Sequence, residues 1–279
     1  MKMKEPVERL LEIRRLGDLG NQLRIAGRYK QAEPLLKRAL ALAEKMFGPK
    51  HHEIAFALNN LGMLYKYTGN FAEAERLYRR ALRIDERVLG RDHVCVASLY
   101  HNLGGLEHAR GHYARGEPFA RRSVAIRRKA LGANHPIVAE DMAALAPLLD
   151  GQGKYAEAER LYRRVLAIFK RVHGPEHYDI ALNLNNLAAI YQRKGKLRQA
   201  ERLYVRALAM KEKLLGARHP DVAMTLNNLG VLYKAQGRFD KAKPLIGRAL
   251  KIFEKNLGPK HPKVAICREN YEQLTRQIN

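Results

Sequence analysis

Three groups of side chains have the types and spacing that chemistry would require. The first is a set of paired carboxamides, Asn59-Asn60, Asn185-Asn186 and Asn227-Asn228, with His101-Asn102 as a half-preserved copy; all fall on a 42-residue register. A carboxamide carries both donors and an acceptor, so it can bond the backbone C=O and N–H of an extended peptide whatever its sequence. The second is a histidine series, His51, His93, His135, His177, His219 and His261, each three residues after a glycine. Imidazole suits metal ligation, but one histidine per repeat at the same junction stands roughly 20 Å from the next across two helix diameters. A zinc ion needs its ligands at about 2 Å. The series cannot share an ion, and the doublet His51-His52 does not alter that. Its reading is a part in the turn between helices, with no metal and no cofactor expected. The third group is cationic: Arg76, Arg79, Arg80, Arg83 and Arg87 in one stretch, Arg121, Arg122, Arg127, Arg128 and Lys129 in another. These are read chiefly as solvated helix faces. No glycine-rich phosphate loop, nucleophile elbow or pair of carboxylates placed for acid–base work accompanies them, and an enzyme is not expected.

The elements that hold these groups follow from the repeat itself. One glycine series runs Gly48, Gly90, Gly132, Gly174, Gly216, Gly258, and a second Gly27, Gly69, Gly111, Gly153, Gly195, Gly237, both at 42-residue intervals. Between glycines the pattern is helical: Ala55, Leu58, Leu61, Gly62, Leu64 and Tyr65 recur at three- and four-residue spacing, as do Phe71, Ala74, Leu77, Tyr78, Ala81, Leu82 and Ile84. Each repeat is therefore a helix A, a glycine turn and a helix B, and Gly-x-x-His-Pro ends one repeat and starts the next. Two amphipathic helices cannot bury both apolar faces alone, whereas stacked neighbours can. Ala74, Ala158, Ala200 and Ala242 are small where helices approach, and Tyr65, Tyr191 and Tyr233 fill the space between repeats. The expected fold is all-α, a right-handed α-solenoid of six helix pairs forming one domain over 1–279. The pairs span about 7–48, 49–90, 91–132, 133–174, 175–216 and 217–258, with a capping helix at 263–277.

The repeats are unequal. Gly17-Asp18 replaces the asparagines in the first, and Pro34, Pro118 and Pro244 recur early in helix B. The fourth has Ala143-Ala144 in place of asparagines and Pro147 inside helix A, where proline costs about 3 kcal/mol. It reads as a decayed repeat held by its neighbours or as a bend dividing the array.

Composition bounds the rest. The 279 residues include 52 Lys+Arg against 28 Asp+Glu, a net charge of +24 that favours acidic partners. Cys95 and Cys267 occupy different repeat positions and make no disulfide framework, which fits a reducing cytoplasm. Charges interrupt the N-terminal apolar stretch, and no run is long enough to cross a bilayer.

The residues Leu58-Asn59-Asn60-Leu61-Gly62, Leu64-Tyr65, Gly69, Phe71 and Ala74, followed by Arg80-Ala81-Leu82 and Ile84, resemble the tetratricopeptide repeat. The period and the Leu215-Gly216-x-x-His219-Pro220 junction are similar to the kinesin-light-chain variety. The light chains' heptad segment is not seen, so the reading is a stand-alone repeat protein rather than a motor subunit. The resemblance implies that helix A lines a concave groove and that Asn60, Asn102, Asn186 and Asn228 match the clamp asparagines of peptide-binding arrays. The candidate peptide-binding residues are Asn59, Asn60, Met63, Lys66, His101, Asn102, Asn185, Asn186, Gln192, Asn227, Asn228, Val231 and Lys234. The expected function is a scaffold that binds extended acidic peptides of other proteins, with Lys66 and Lys234 attracting their carboxylates. Two alternatives stand beside it: a solenoid binding nucleic acid through its basic helix B faces, though with no tryptophan and few aromatics to stack on bases, and a protein that self-assembles end to end. Within each pair, one asparagine could instead serve the stack and bind nothing.

Overall fold

The structure is a computed structural model that describes residues 4–259 and 261–278. Its thirteen helices, among the described residues, are α1 (Lys4–Ile25), α2 (Tyr29–Phe47), α3 (His52–Tyr67), α4 (Phe71–Val88), α5 (Val94–Ala109), α6 (Tyr113–Leu131), α7 (Pro136–Asp150), α8 (Tyr155–His173), α9 (Tyr178–Arg193), α10 (Leu197–Leu215), α11 (Pro220–Ala235), α12 (Phe239–Leu257) and α13 (Pro262–Ile278). The described residues contain no strand, and the fold class is the all-α helical-repeat solenoid. Two compact units divide the chain, Met1–Gln152 with α1 to α7 and Gly153–Asn279 with α8 to α13. The boundary falls between the helices of the fourth repeat.

Both glycine series do the same backbone work. All twelve hold φ between 69° and 87°, the left-handed region in which a Cβ is strained, and they end helices there. The next helix starts on a histidine. Nδ1 of His51, His93, His135, His177, His219 and His261 accepts the backbone N–H two residues on, at 3.1–3.3 Å. Each imidazole thus takes one of the four donors that a helix start leaves without an intrahelical partner. The expected turn role of the histidine series has this physical content.

Packing follows the sequence pattern closely. Ala74, Ala158, Ala200 and Ala242 have no exposed surface. The tyrosines join helix A of one repeat to helix B of the one before: Tyr65 donates to Glu33 (3.0 Å), Tyr233 to Glu201 (2.9 Å), and Arg163 donates to the Tyr191 hydroxyl (2.7 Å). Pro34, Pro118 and Pro244 lie exposed inside unbroken helices, and α7 likewise runs through Pro147, whose carbonyl accepts the Gly151 N–H at 3.0 Å. The capping helix carries Glu269, Glu272, Gln273 and Arg276 on its exposed side.

One register position is unlike the others. Ala43, Phe169 and Phe253 are buried there, but so are Asp85 and Lys211, while Arg127 is half-buried. Each charge meets a flanking helix A. Asp85 faces His52 (2.8 Å), Arg127 donates to Asp141 and Ser98 (both 2.7 Å), and Lys211 donates to Thr225 Oγ1 (3.0 Å) and the Asp221 carbonyl (3.3 Å). Burial pulls the Lys211 ammonium below its usual range, against the raising effect of the Asp221 carboxylate.

Two predictions follow from this packing. Replacing His219 by Ala should cost about 1 kcal/mol of stability, whereas Asn, which can accept the same N–H, should cost only a fraction of that; denaturant melts of the two variants check this. Lys211→Met should stabilise unit Gly153–Asn279, since a buried cation bonded only to neutral oxygens gives way to an apolar chain of similar length. The folded pKa lies below the unfolded one, so the cost of the charged lysine is fully present below the folded pKa. It is relieved as pH rises toward the unfolded value. The stability advantage of the variant should therefore shrink in alkali, and an advantage independent of pH would refute the assignment.

Candidate functional site

Within each unit, helix A touches helix A of the next repeat, α1–α3–α5–α7 in the first and α9–α11–α13 in the second. Helix B reaches the following repeat through that repeat's helix A. Closer spacing of the A helices puts them on the inner side of each unit's stack, which is where the candidate residues were placed by sequence.

The asparagines, however, first serve one another. The second asparagine of a repeat donates to the first asparagine of the preceding one. Asn102 Nδ2 bonds Asn59 Oδ1 at 2.7 Å, Asn228 bonds Asn185 at 3.3 Å, and Asn270 bonds Asn227 at 3.1 Å. Asn185 also donates to Asn186 Oδ1 at 3.3 Å. Asn60 and Asn185 are only 2% and 3% exposed, so these two expected peptide contacts are covered by the stack; the other pair members are half-buried. The ladder leaves Oδ1 of Asn102 and Asn228 and Nδ2 of Asn59 and Asn227 without bonds to other described residues. Asn270 was not among the candidates, although counting 42 residues on from Asn228 would have found it.

Rungs are missing where the register position is not asparagine: Ala144 cannot donate to His101, and the first repeat offers no acceptor. Asn60 should donate to residue 17, which is glycine. The Asn60 Nδ2 is buried and has no hydrogen-bond partner among the described residues, and it lies 3.2 Å from where a Cβ on Gly17 would stand.

Seven residues after the first asparagine position runs a row of charge. In the first unit it reads Arg24, Lys66, His108 and Asp150, so the row ends on a carboxylate beside His108. Lys66 is half-buried, its ammonium leaning to 3.5 Å from where a Gly105 Cβ would be and 5.2 Å from the Tyr67 ring centroid. Arg24 lies over the same ring at 5.0 Å. Burial, and then Arg24, pull the Lys66 ammonium below its usual range. Burial, and then Lys66, pull the His108 imidazole down, with partial compensation from Asp150. No carboxylate pairs with Lys66 among the described residues. Arg24 and His108 were missed by sequence because they are not asparagine-adjacent in type, only in register.

The remaining candidates are bound into the fold to different degrees. Lys234 donates to Gln273 at 2.9 Å and Gln192 accepts from Tyr204 at 3.3 Å. Met63 packs against the core of the first unit, and Val231 is half-buried. His101 bonds the buried Asp141 at 2.7 Å, and that carboxylate also accepts from Ser123 and Arg127. His101 therefore belongs to a structural network on its Asp141 side. The helix B arginines are largely engaged: Arg76 with Glu73, Arg79 with Glu75, Arg80 with Glu44, Arg121 with Glu117 and Arg122 with Asp92. No described helix is long and apolar enough to cross a membrane.

The profile of the tetratricopeptide repeat matches residues 12–87, 66–128, 95–171, 149–213, 179–255 and 221–279. No curated protein sequence matches significantly. Among solved structures, BtubC (BKLC) from P. vanneervenii is similar at 25% identity and a TM-score of 0.63, over 90% of this chain and 94% of that one. A putative kinesin light chain of nearly identical repeats from Podosopora anserina is similar at 25% identity and a TM-score of 0.61, over 75% and 99%. Pseudomonas aeruginosa pilF shares the fold at 17% identity and a TM-score of 0.60, over 97% and 99%.

The rung missing at Gly17 gives a stability test. Gly17→Asn should supply the acceptor that Asn60 lacks, and relieving a buried unpaired donor is worth about 1–3 kcal/mol. Gly17→Ala supplies only the helix-propensity gain, about 0.5–1 kcal/mol. The asparagine variant should unfold at higher denaturant than the alanine variant. If it does not, the ladder does not extend to that position.

Proposed function

The chain belongs to the tetratricopeptide-repeat family, and we propose that it is a non-enzymatic adaptor that holds extended, acidic peptide segments of partner proteins along its helix A faces. The observation that carries this reading is the Arg24–Lys66–His108 row. A half-buried cation, pressed by a second cation and left without a carboxylate, is an electrostatic cost in the free protein. A ligand carboxylate would relieve it. The net charge of +24 draws such a ligand toward the surface.

The asparagines contribute through the halves that the ladder leaves open. Oδ1 of Asn102 and Asn228 can accept a peptide N–H, and Nδ2 of Asn59 and Asn227 can donate to a peptide carbonyl. The ladder fixes each amide's orientation, so little side-chain entropy is lost when a peptide bonds to it. Asn186, Met63 and Val231 border the same faces. Several bonds of about 0.5–1.5 kcal/mol each, with side-chain burial, would reach micromolar affinity. The pairing of helix B arginines with carboxylates weighs against the nucleic-acid alternative.

The test is an array of short peptides, each acidic member matched by its Asn/Gln isostere, probed with wild type and two variants. Wild type should retain acidic members over their isosteres. Lys66→Met should weaken binding about tenfold, equivalent to 1.4 kcal/mol, while its unfolding midpoint rises, because the lost cation had no carboxylate partner among the described residues. Asn102→Ala should weaken acidic and neutral peptides alike. Equal retention of the two peptide classes, or a Lys66→Met variant that binds as wild type does, would refute the reading. Retention abolished by nuclease would transfer it to nucleic acid.

A further inference from the structure

The histidine series cannot share a metal ion, but one of its members has a second imidazole beside it. At the junction between α8 and α9, His173, His177 and Asp179 each place a ligand atom within 4.8 Å of the others. The rings of His173 and His177 are stacked, with centroids 4.2 Å apart. His177 Nδ1 stands 3.4 Å from Asp179 Oδ2. In a tetrahedral site with metal–ligand distances of about 2.0–2.1 Å, neighbouring ligand atoms are about 3.3 Å apart. The His177–Asp179 pair is therefore already set at the spacing of one tetrahedral edge.

Two independent features set this junction apart from the others. The position of His173 is apolar in every other repeat: Phe47, Leu89, Leu131, Leu215 and Leu257 occupy it. Phe47 stacks on His51 at the same 4.2 Å, so packing against the junction histidine does not call for an imidazole. The turn is also less tightly closed. At the other late junctions the glycine N–H bonds a helix carbonyl and the histidine N–H bonds the glycine carbonyl, as in Gly216 to Glu212 and His219 to Gly216. Neither bond is among those found at Gly174 and His177, and residues 175 and 176 form an open bend. The neighbouring carboxylate, Glu176, is engaged by Lys213.

We propose that His173, His177 and Asp179 form a binding site for a borderline divalent transition-metal ion of the zinc class. Two imidazoles and one carboxylate suit zinc, cobalt(II) or nickel(II) and do not suit calcium or magnesium, which take oxygen ligands. Binding turns the exposed His173 ring out of its stack so that its nitrogen lone pair meets the ion. The His177 Nδ1 lone pair, which otherwise accepts the Asp179 N–H at 3.3 Å, passes to the ion, so metal and helix cap compete for it. Both imidazoles bind neutral and Asp179 binds ionised. The remaining coordination positions are left to water or a ligand.

The chain supplies its own control. The next junction repeats His219 and Asp221, 3.8 Å apart, with Leu215 in place of the second histidine. His173→Leu therefore installs a residue that the fold already carries at this position. Zinc titration of the full chain by calorimetry, with cobalt(II) absorption as a second readout, compares wild type with His173→Leu and Asp179→Asn, and with Asp221→Asn as reference. Circular dichroism and melting check that each variant is folded. Wild type should bind one ion that His173→Leu and Asp179→Asn bind at least tenfold more weakly, and Asp221→Asn should titrate as wild type does. The proposal is overturned if wild type and His173→Leu titrate alike, or if wild type binds neither metal.

Discussion

The rest of the structure depends on the junction at which one helix is made to stop and the next to start within four residues. A glycine at positive φ turns the chain out of helix B, and three residues later an imidazole lone pair captures a free N–H of helix A. Without the first, the last carbonyls would continue the helix; without the second, the new helix would begin with an unsatisfied donor. Fixing both ends fixes the length of each helix, and equal helix lengths let identical apolar faces stack in register. The alanines at the close approaches and the tyrosines that reach back to the preceding helix B then find their partners.

Stacking in register has a second consequence, because it brings side chains 42 residues apart into contact. Asparagines that sit on successive A helices bond one another, and the ladder takes one end of the Asn59, Asn102, Asn227 and Asn228 carboxamides. The same register brings Lys66 against Arg24 and His108, a contact that costs energy rather than gaining it. The two rows lie on the same set of helices, one bonded in part within the protein and the other without a carboxylate on Lys66 among the described residues.

Identity between repeats would leave the order of repeats unspecified, and the buried charges oppose that. At one position of helix B the chain places Ala43, Asp85, Arg127, Phe169, Lys211 and Phe253 in turn. Asp85 is met by His52 of its own repeat, but Arg127 needs Asp141, and Lys211 needs Thr225 and the Asp221 carbonyl, all of the following repeat. A repeat paired with the wrong neighbour would bury a charge without its partner, which is far more costly than a poor apolar fit.

The sequence by itself determined the helices, their ends and their pairing, because these follow from local rules: a 3.6-residue apolar period, glycine where a Cβ is strained, and a fixed repeat length. It located helix A, the asparagine positions and the turn role of the histidines for the same reason. Tertiary structure alone decided which groups remain open to a partner. Asn59 and Asn60 are adjacent and chemically identical, yet one is half-buried in the ladder and the other is sealed beneath it opposite Gly17. His173 and His177 are four residues apart along the chain, but only the turn between α8 and α9 stacks their rings. Hydrogen-bond partners, burial and charge proximity depend on what the neighbouring helix presents at a few ångströms, and no periodicity within one helix carries that distance.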